Sequence, residues 1–155
     1  TLAAFINMPG YYAAGRLDKN SEGLLLLCND GSLQHQLTHP KFNKKKHYWV
    51  QVDGQITDQD LLPLRKGLKL KDCSFLPATV MKIDEPPNLW PRNPPIRVRK
   101  NIPTSWVEII LQEGKNHQVR RMTAAIGFPT LRLIRHKISH WELGDLRLGE
   151  YTFCT

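Results

Sequence analysis

The 155-residue chain contains no apolar run approaching the ~18 residues that cross a bilayer, so no membrane partner is expected. Its three cysteines, Cys28, Cys73 and Cys154, are odd in number and form no Cys-x-x-Cys. That argues against a disulfide framework and fits a reducing cytoplasm. Gly-rich phosphate loops of the P-loop or dinucleotide type are missing, as is a Gly-x-Ser-x-Gly elbow, which argues against the enzyme classes built on them. His35 and His39 stand four apart, but no Cys or carboxylate completes a ligand set, so no metal is expected. No cluster of acids suited to Mg²⁺ stands out, which weighs against a nuclease. The chain has no secretory signal at Thr1 and opens without a Met, so an upstream part is expected to be missing.

Acidic residues are also absent from Gly114 to Trp141, a span that holds Lys115, Arg120, Arg121, Arg132, Arg135 and Lys137. Over the whole chain 22 Lys and Arg face 14 acids, for a net charge of +8. That balance favours a polyanionic partner. A hydrophobic content of 41% is enough for one folded domain with a core.

The pattern predicts several strands and few helices. Leu24 to Leu27 reads as a strand buried on both faces, ended by Asn29-Asp30-Gly31. Ser32 to Thr38 suits a short helix. His47 to Val52 alternates, with Tyr48, Val50 and Val52 on one face and His47, Trp49 and Gln51 on the other. Thr57 is expected to cap a helix that Pro63 shortens or kinks and Gly67 stops. Ala78 to Ile83, Ser105 to Gln112 and Leu131 to Ile138 read as strands, His117 to Ile126 as a helix, and Glu85 to Pro95, with five prolines, as a loop. The mixture implies an α+β fold around a mainly antiparallel sheet.

Two constellations carry chemistry. In Gly15-Arg16-Leu17-Asp18, a carboxylate lies on a polar turn beside a cation and before four leucines. With only Glu22 as a second acid nearby, Asp18 suits a single-carboxylate mechanism better than a two-acid hydrolysis. The stretch from Glu113 to Met122 puts Lys115, Asn116, His117, Arg120 and Arg121 at a helix entry, offering guanidinium forks and backbone amides to phosphates. A third group mixes cations with aromatics: Lys44 to Trp49, with Lys46, then Trp90 to Lys100, with Arg92 and Arg97. Cations hold a phosphate chain and rings stack on unpaired bases. Trp49 and Trp106 are expected in the core, and Trp90 is the better stacking candidate. Charge and aromatics alone fit a non-catalytic RNA-binding module or ribosome-assembly factor equally well; the lone acid of the turn separates the readings.

Taken together, the segments Gly15–Leu27 and Lys115–Ile138 resemble the pseudouridine synthases of the RsuA/RluE type, which modify bacterial ribosomal RNA. The stretch from Trp90 to Trp106 is similar to the large-subunit branch of that family. The resemblance implies a mixed, mainly antiparallel sheet with RNA crossing a central cleft. It implies isomerisation of uridine to pseudouridine in 23S rRNA by a cytoplasmic enzyme with no cofactor or metal. It makes Asp18 the catalytic carboxylate, Tyr48 the ring against the target base, Arg120 the partner of Asp18 and Leu133 a hydrophobic wall. Arg16 would support the RNA backbone or fill the space left by the flipped nucleotide. Lys46, Trp90, Arg92, Arg97, Lys115, Asn116, His117, Arg121, Arg132 and Arg135 would contact RNA. Residues 1–155 are expected to form one monomeric catalytic domain. It would lack the S4 domain and the N-terminal Lys-Pro strand that family members normally carry. Cys28 stands where the family usually has Ser or Thr.

Overall fold

The computed structural model describes residues 6–39, 44–96 and 102–154. In chain order the elements are β1 (Tyr12–Ala13), β2 (Glu22–Gly23), β3 (Leu27–Cys28), α1 (Gly31–Thr38), β4 (Lys46–Asp53) and a 3₁₀ turn (Gln59–Leu61). There follow α2 (Leu62–Lys66), β5 (Leu68–Lys69), β6 (Ser74–Phe75), β7 (Thr79–Ile83), β8 (Thr104–Leu111), α3 (Gln118–Ala125), β9 (Thr130–Ile138) and β10 (Trp141–Glu142).

The three long alternating segments make the platform. β4, β8 and β9 lie side by side in the order β9-β4-β8, antiparallel at each step, with β7 outside β8 and β10 outside β9. β2 joins the outer edge of β9 in parallel. The expected α+β fold with a mainly antiparallel sheet is therefore present. Alternation buries Val50 and Val52 of β4, Val107 and Ile109 of β8 and Val80 of β7 on one face. Val119 and Met122 of α3 and Leu61 and Leu64 of the 3₁₀–α2 segment complete that core. A smaller cluster of Ala14, Leu24, Leu26, Cys28, Leu37 and Ile138 holds the N-terminal turns and α1 to the end of β9.

Local chemistry explains most boundaries. The Asp30 carboxylate accepts from the Ser32 and Leu33 amides and starts α1. Thr57 and Asp60 cap each other, the Thr57 amide donating to the Asp60 carboxylate and the Asp60 amide to the Thr57 hydroxyl. Pro63 does not kink a long helix. It sits in the first turn of α2, where a missing N–H costs nothing. Gly67 ends that helix at φ 93°, a conformation open to glycine.

The leucine run departs from expectation. Leu24 to Leu27 is not one strand buried on both faces: Leu24 and Leu26 are buried, while Leu25 and Leu27 are half-buried. The Leu24 amide donates to Arg135 O of β9 and the Ala14 amide to Leu26 O, so the segment is shared between two sheets. Trp106 is buried as expected, whereas Trp49 is only half-buried.

Candidate active site

The polar turn before the leucines and the entry to α3 face each other across a cavity of about 720 Å³. Gly15, Arg16, Leu17 and Asp18 form one wall, and Glu113 to Arg120 the opposite one. Lys46 and Tyr48 of β4 and Leu133 and Arg135 of β9 line it as well. Tyr48 and Arg135 are cross-strand partners, so the sheet register itself sets them together.

What holds the first wall is backbone geometry. Gly23 takes φ 109°, and a Cβ there would collide with the Arg135 backbone. Only glycine lets β2 press this close to β9. Arg135, buried, then reaches back, donating from Nε to Leu24 O and from Nη1 to Arg16 O. The two residues flanking the Asp18 turn are thus tied to one guanidinium. Arg120 ties it from the other side, donating from Nη2 to Asn20 O at 2.8 Å.

The second wall is organised by Glu113. Its carboxylate accepts from Gln118 Nε2 at 2.8 Å and from the Leu76 amide at 2.7 Å, while Gln118 Oε1 accepts from the Lys115 amide. This closes the loop and leaves His117 in a left-handed conformation, φ 51°, immediately before α3. From there its Nδ1 stands 3.4 Å from Asp18 Oδ2.

The expected pairing of Asp18 with Arg120 takes a different form. Both line the cavity, but no direct ion pair joins them; His117 supplies the adjacent nitrogen instead. Burial, and then the charge of Arg92, push the Arg120 guanidinium below its ordinary value, and Asp18 opposes that shift. The Tyr48 hydroxyl is pushed above the usual phenol value by burial first; Arg135 opposes this and the Asp18 charge adds to it. Tyr48 is therefore a neutral phenol beside a guanidinium. Lys46 is held below the usual ammonium value by burial and by Arg135.

Of the remaining expected contacts, Arg16, Lys115, Asn116, His117 and Arg135 line the cavity, and Trp90, Arg92, Arg121 and Arg132 do not. Trp90 does not offer a free ring. Its indole N–H donates to Glu22 at 2.7 Å, and the Arg132 guanidinium lies 5.4 Å from the ring centroid. Arg132 makes a two-pronged pair with Glu22 and donates to Trp90 O, while Arg92 stands 3.7 Å from the same carboxylate. Arg121 turns away to Asp72 at 2.5 Å. Arg97 lies outside the described residues.

Sequence reading missed the organising acids. Glu22 was a neighbour of Asp18 in the chain, yet its partners come from two distant segments. Glu113 opens the basic motif but acts by shaping its loop. The spacing Glu113-x-x-x-x-Gln118 was the available signal for the latter, since both side chains converge only if the intervening loop is tight.

Residues 5–125 match the family model described as RNA pseudouridylate synthase. The chain is 58% identical over 151 residues to ribosomal large subunit pseudouridine synthase E of Vibrio parahaemolyticus, a match covering 97% of this chain and 63% of that protein. Against the protein of the same name from Xanthomonas axonopodis pv. citri it is 53% identical over 146 residues, covering 94% and 77%. A solved pseudouridylate synthase structure superposes with a TM-score of 0.83 at 29% identity, over 100% of this chain and 62% of that one. The chain thus spans just under two thirds of the Vibrio relative's length.

Proposed function

The chain belongs to the RNA pseudouridylate synthase family, and from that premise we propose that it isomerises uridine to pseudouridine in large-subunit ribosomal RNA. The supporting observation is that of the two carboxylates lining the cavity, Glu113 is held by Gln118 and the Leu76 amide, while Asp18 faces a space that Arg16, Lys46, Lys115, Arg120, Arg135, the half-buried Tyr48 and Leu133 also line. A cavity of about 720 Å³ falls in the range of roughly 300–1,000 Å³ typical of small-ligand sites. That is room for one extruded nucleoside.

The reaction needs four things. The target base must leave its stack, at a cost of a few kcal/mol. Arg16 at the rim, with Lys115 and the amides before α3, would repay that cost through phosphate contacts. The uracil must then be held while its bond to C1′ breaks. Tyr48 gives a flat apolar surface for it, and Leu133 packs beside the same space. The C1′–N1 bond must break with help from a base or nucleophile. Asp18 does this either by attacking C1′ or by removing a neighbouring proton to give a glycal; both routes need an ionised carboxylate. Finally the freed uracil turns, C5 bonds to C1′ as the bond to Asp18 breaks or the glycal takes back its proton, N1 gains a proton, and the C5 proton is lost to solvent or through the Tyr48 hydroxyl. No atoms are gained or lost overall, so the scheme calls for no cofactor. The relatives' names point to large-subunit ribosomal RNA as the partner, and the proposal extends this to 23S rRNA in the bacterial cytoplasm. Among the described residues no helix is long and apolar enough to cross a membrane.

The test is tritium release from large-subunit rRNA carrying 5-tritiated uridine. The chain should release tritium, and Asp18→Asn should abolish release while RNA affinity stays within a few-fold. An active Asp18→Asn variant would overturn the assignment. RNA binding without release by the unsubstituted chain would favour a binding module instead.

A further inference from the structure

On the sheet face opposite Tyr48, three side chains from three neighbouring strands converge. His47 of β4, Glu108 of β8 and His136 of β9 bring one donor atom each within 4.8 Å of one another. The register puts them there. Glu108 pairs with Trp49, two residues after His47 and on its face. His136 sits at the register shift of β9, between Arg135, which pairs with Tyr48, and Lys137, which pairs with His47. Two segments distant in sequence thus complete what His47 begins.

Each imidazole faces its own Glu108 oxygen across a gap wider than a hydrogen bond, and the three donors together lie within 4.8 Å. His47 Nδ1 lies 3.6 Å from Glu108 Oε1, and His136 Nε2 lies 3.6 Å from Glu108 Oε2. Both gaps exceed a hydrogen bond. His136 Nε2 is buried without a hydrogen-bond partner, an arrangement that costs stability unless something fills it. Donors bound to one tetrahedral zinc at about 2.0–2.2 Å stand roughly 3.3–3.6 Å apart. The side chains are 17%, 20% and 16% exposed, leaving room for solvent at a fourth position. The Trp49 ring stacks on His136 at 4.2 Å and 12°, fixing the imidazole plane.

We propose that His47, Glu108 and His136 form a binding site for a zinc-class divalent cation. The donor set, two imidazoles and one carboxylate, selects borderline cations over Mg²⁺, which demands oxygen ligands. The ion bridges β9, β4 and β8 from behind. It takes no part in base chemistry, because Tyr48 and Arg135 project to the other side. It stiffens the strands that carry those two residues.

The experiment is titration of the metal-free chain with ZnCl₂, followed by calorimetry and thermal melting. One Zn²⁺ should bind per chain with micromolar or tighter affinity. At a hundredfold excess over Kd the melting temperature should rise by about 5–10 °C, and MgCl₂ should not reproduce the shift. Glu108→Gln and His136→Ala should each weaken binding at least tenfold. His35→Ala should leave it within twofold, since His35 and His39 form the competing histidine pair. Where a cluster variant fails to fold, Co²⁺ added to the unsubstituted chain gives the answer. Paramagnetic broadening of the His47 and His136 imidazole signals supports the site. Absence of saturable binding, broadening confined to His35 and His39, or undiminished binding by a folded cluster variant overturns it.

Discussion

The imidazole of His117 meets the carboxylate of Asp18 at 3.4 Å, Nδ1 to Oδ2. The two side chains are 51% and 33% exposed, so water screens their attraction in the free protein. Arg120 holds the same turn differently, through the Asn20 carbonyl. One residue adjoins the carboxylate; the other fixes the backbone that presents it.

That division predicts unequal effects. Arg120→Ala should lower kcat for tritium release by about 10²-fold, the scale of misplacing a reacting group by about 1 Å. His117→Gln should lower it less than about fivefold, as for an exposed pair. Single-turnover measurements on rRNA fragments read both. A larger loss for His117→Gln than for Arg120→Ala would reverse the assignment.

Glu22 joins the Pro-rich loop to the sheet. Its carboxylate is 17% exposed and accepts from Trp90 and from both prongs of Arg132, itself 9% exposed. Glu22→Gln keeps the shape but removes the charge that compensates Arg132 and Arg92. A destabilisation of about 2–4 kcal/mol is expected, read by urea denaturation. Trp90 fluorescence should report the loop moving into solvent, measured in the background of the other three tryptophans.

Gly23 is the closest approach between β2 and β9. Gly23→Ala adds a Cβ in a left-handed backbone and against the Arg135 main chain. It should cost about 2–4 kcal/mol. Loss of exchange protection at the Leu24 amide, which donates to Arg135 O, would localise the damage. An unchanged denaturation midpoint would mean that the β2 contact contributes little.

The parts legible in sequence are those whose causes are local. β4, β8 and β9 announce themselves by period-two alternation, and α3 by its apolar stripe ending at Gly127. The Asp18 turn and the basic entry to α3 were visible as motifs. The two-residue strands β1, β2, β5, β6 and β10 were not, because two residues carry no period, and β3, equally short, showed only as the end of the leucine run. The leucine run misled because four apolar residues fit a doubly buried strand and a shared segment equally well. Trp90 looked free for stacking because nothing local shows Glu22 and Arg132 arriving from opposite ends of the chain. The same limit hid the His47, Glu108 and His136 cluster, which exists only once the register of three strands is set.

Tyr48 provides the pH test. Burial raises its pKa above the ordinary 10.0 more than Arg135 lowers it. Raising the pKa of a phenol favours its neutral form. Tyr48 therefore keeps its proton below about pH 10, and its contribution to folding persists there, fading only as pH climbs through the raised value. Tyr48→Phe should thus leave the shape of the activity profile unchanged between about pH 6 and pH 10. Its kcat should fall by about 10²-fold if the hydroxyl relays the C5 proton, and stay within a few-fold if only the ring face is used. Either way, a new or missing ionisation inside that window would show that the hydroxyl titrates where its half-buried position beside Asp18 says it should not.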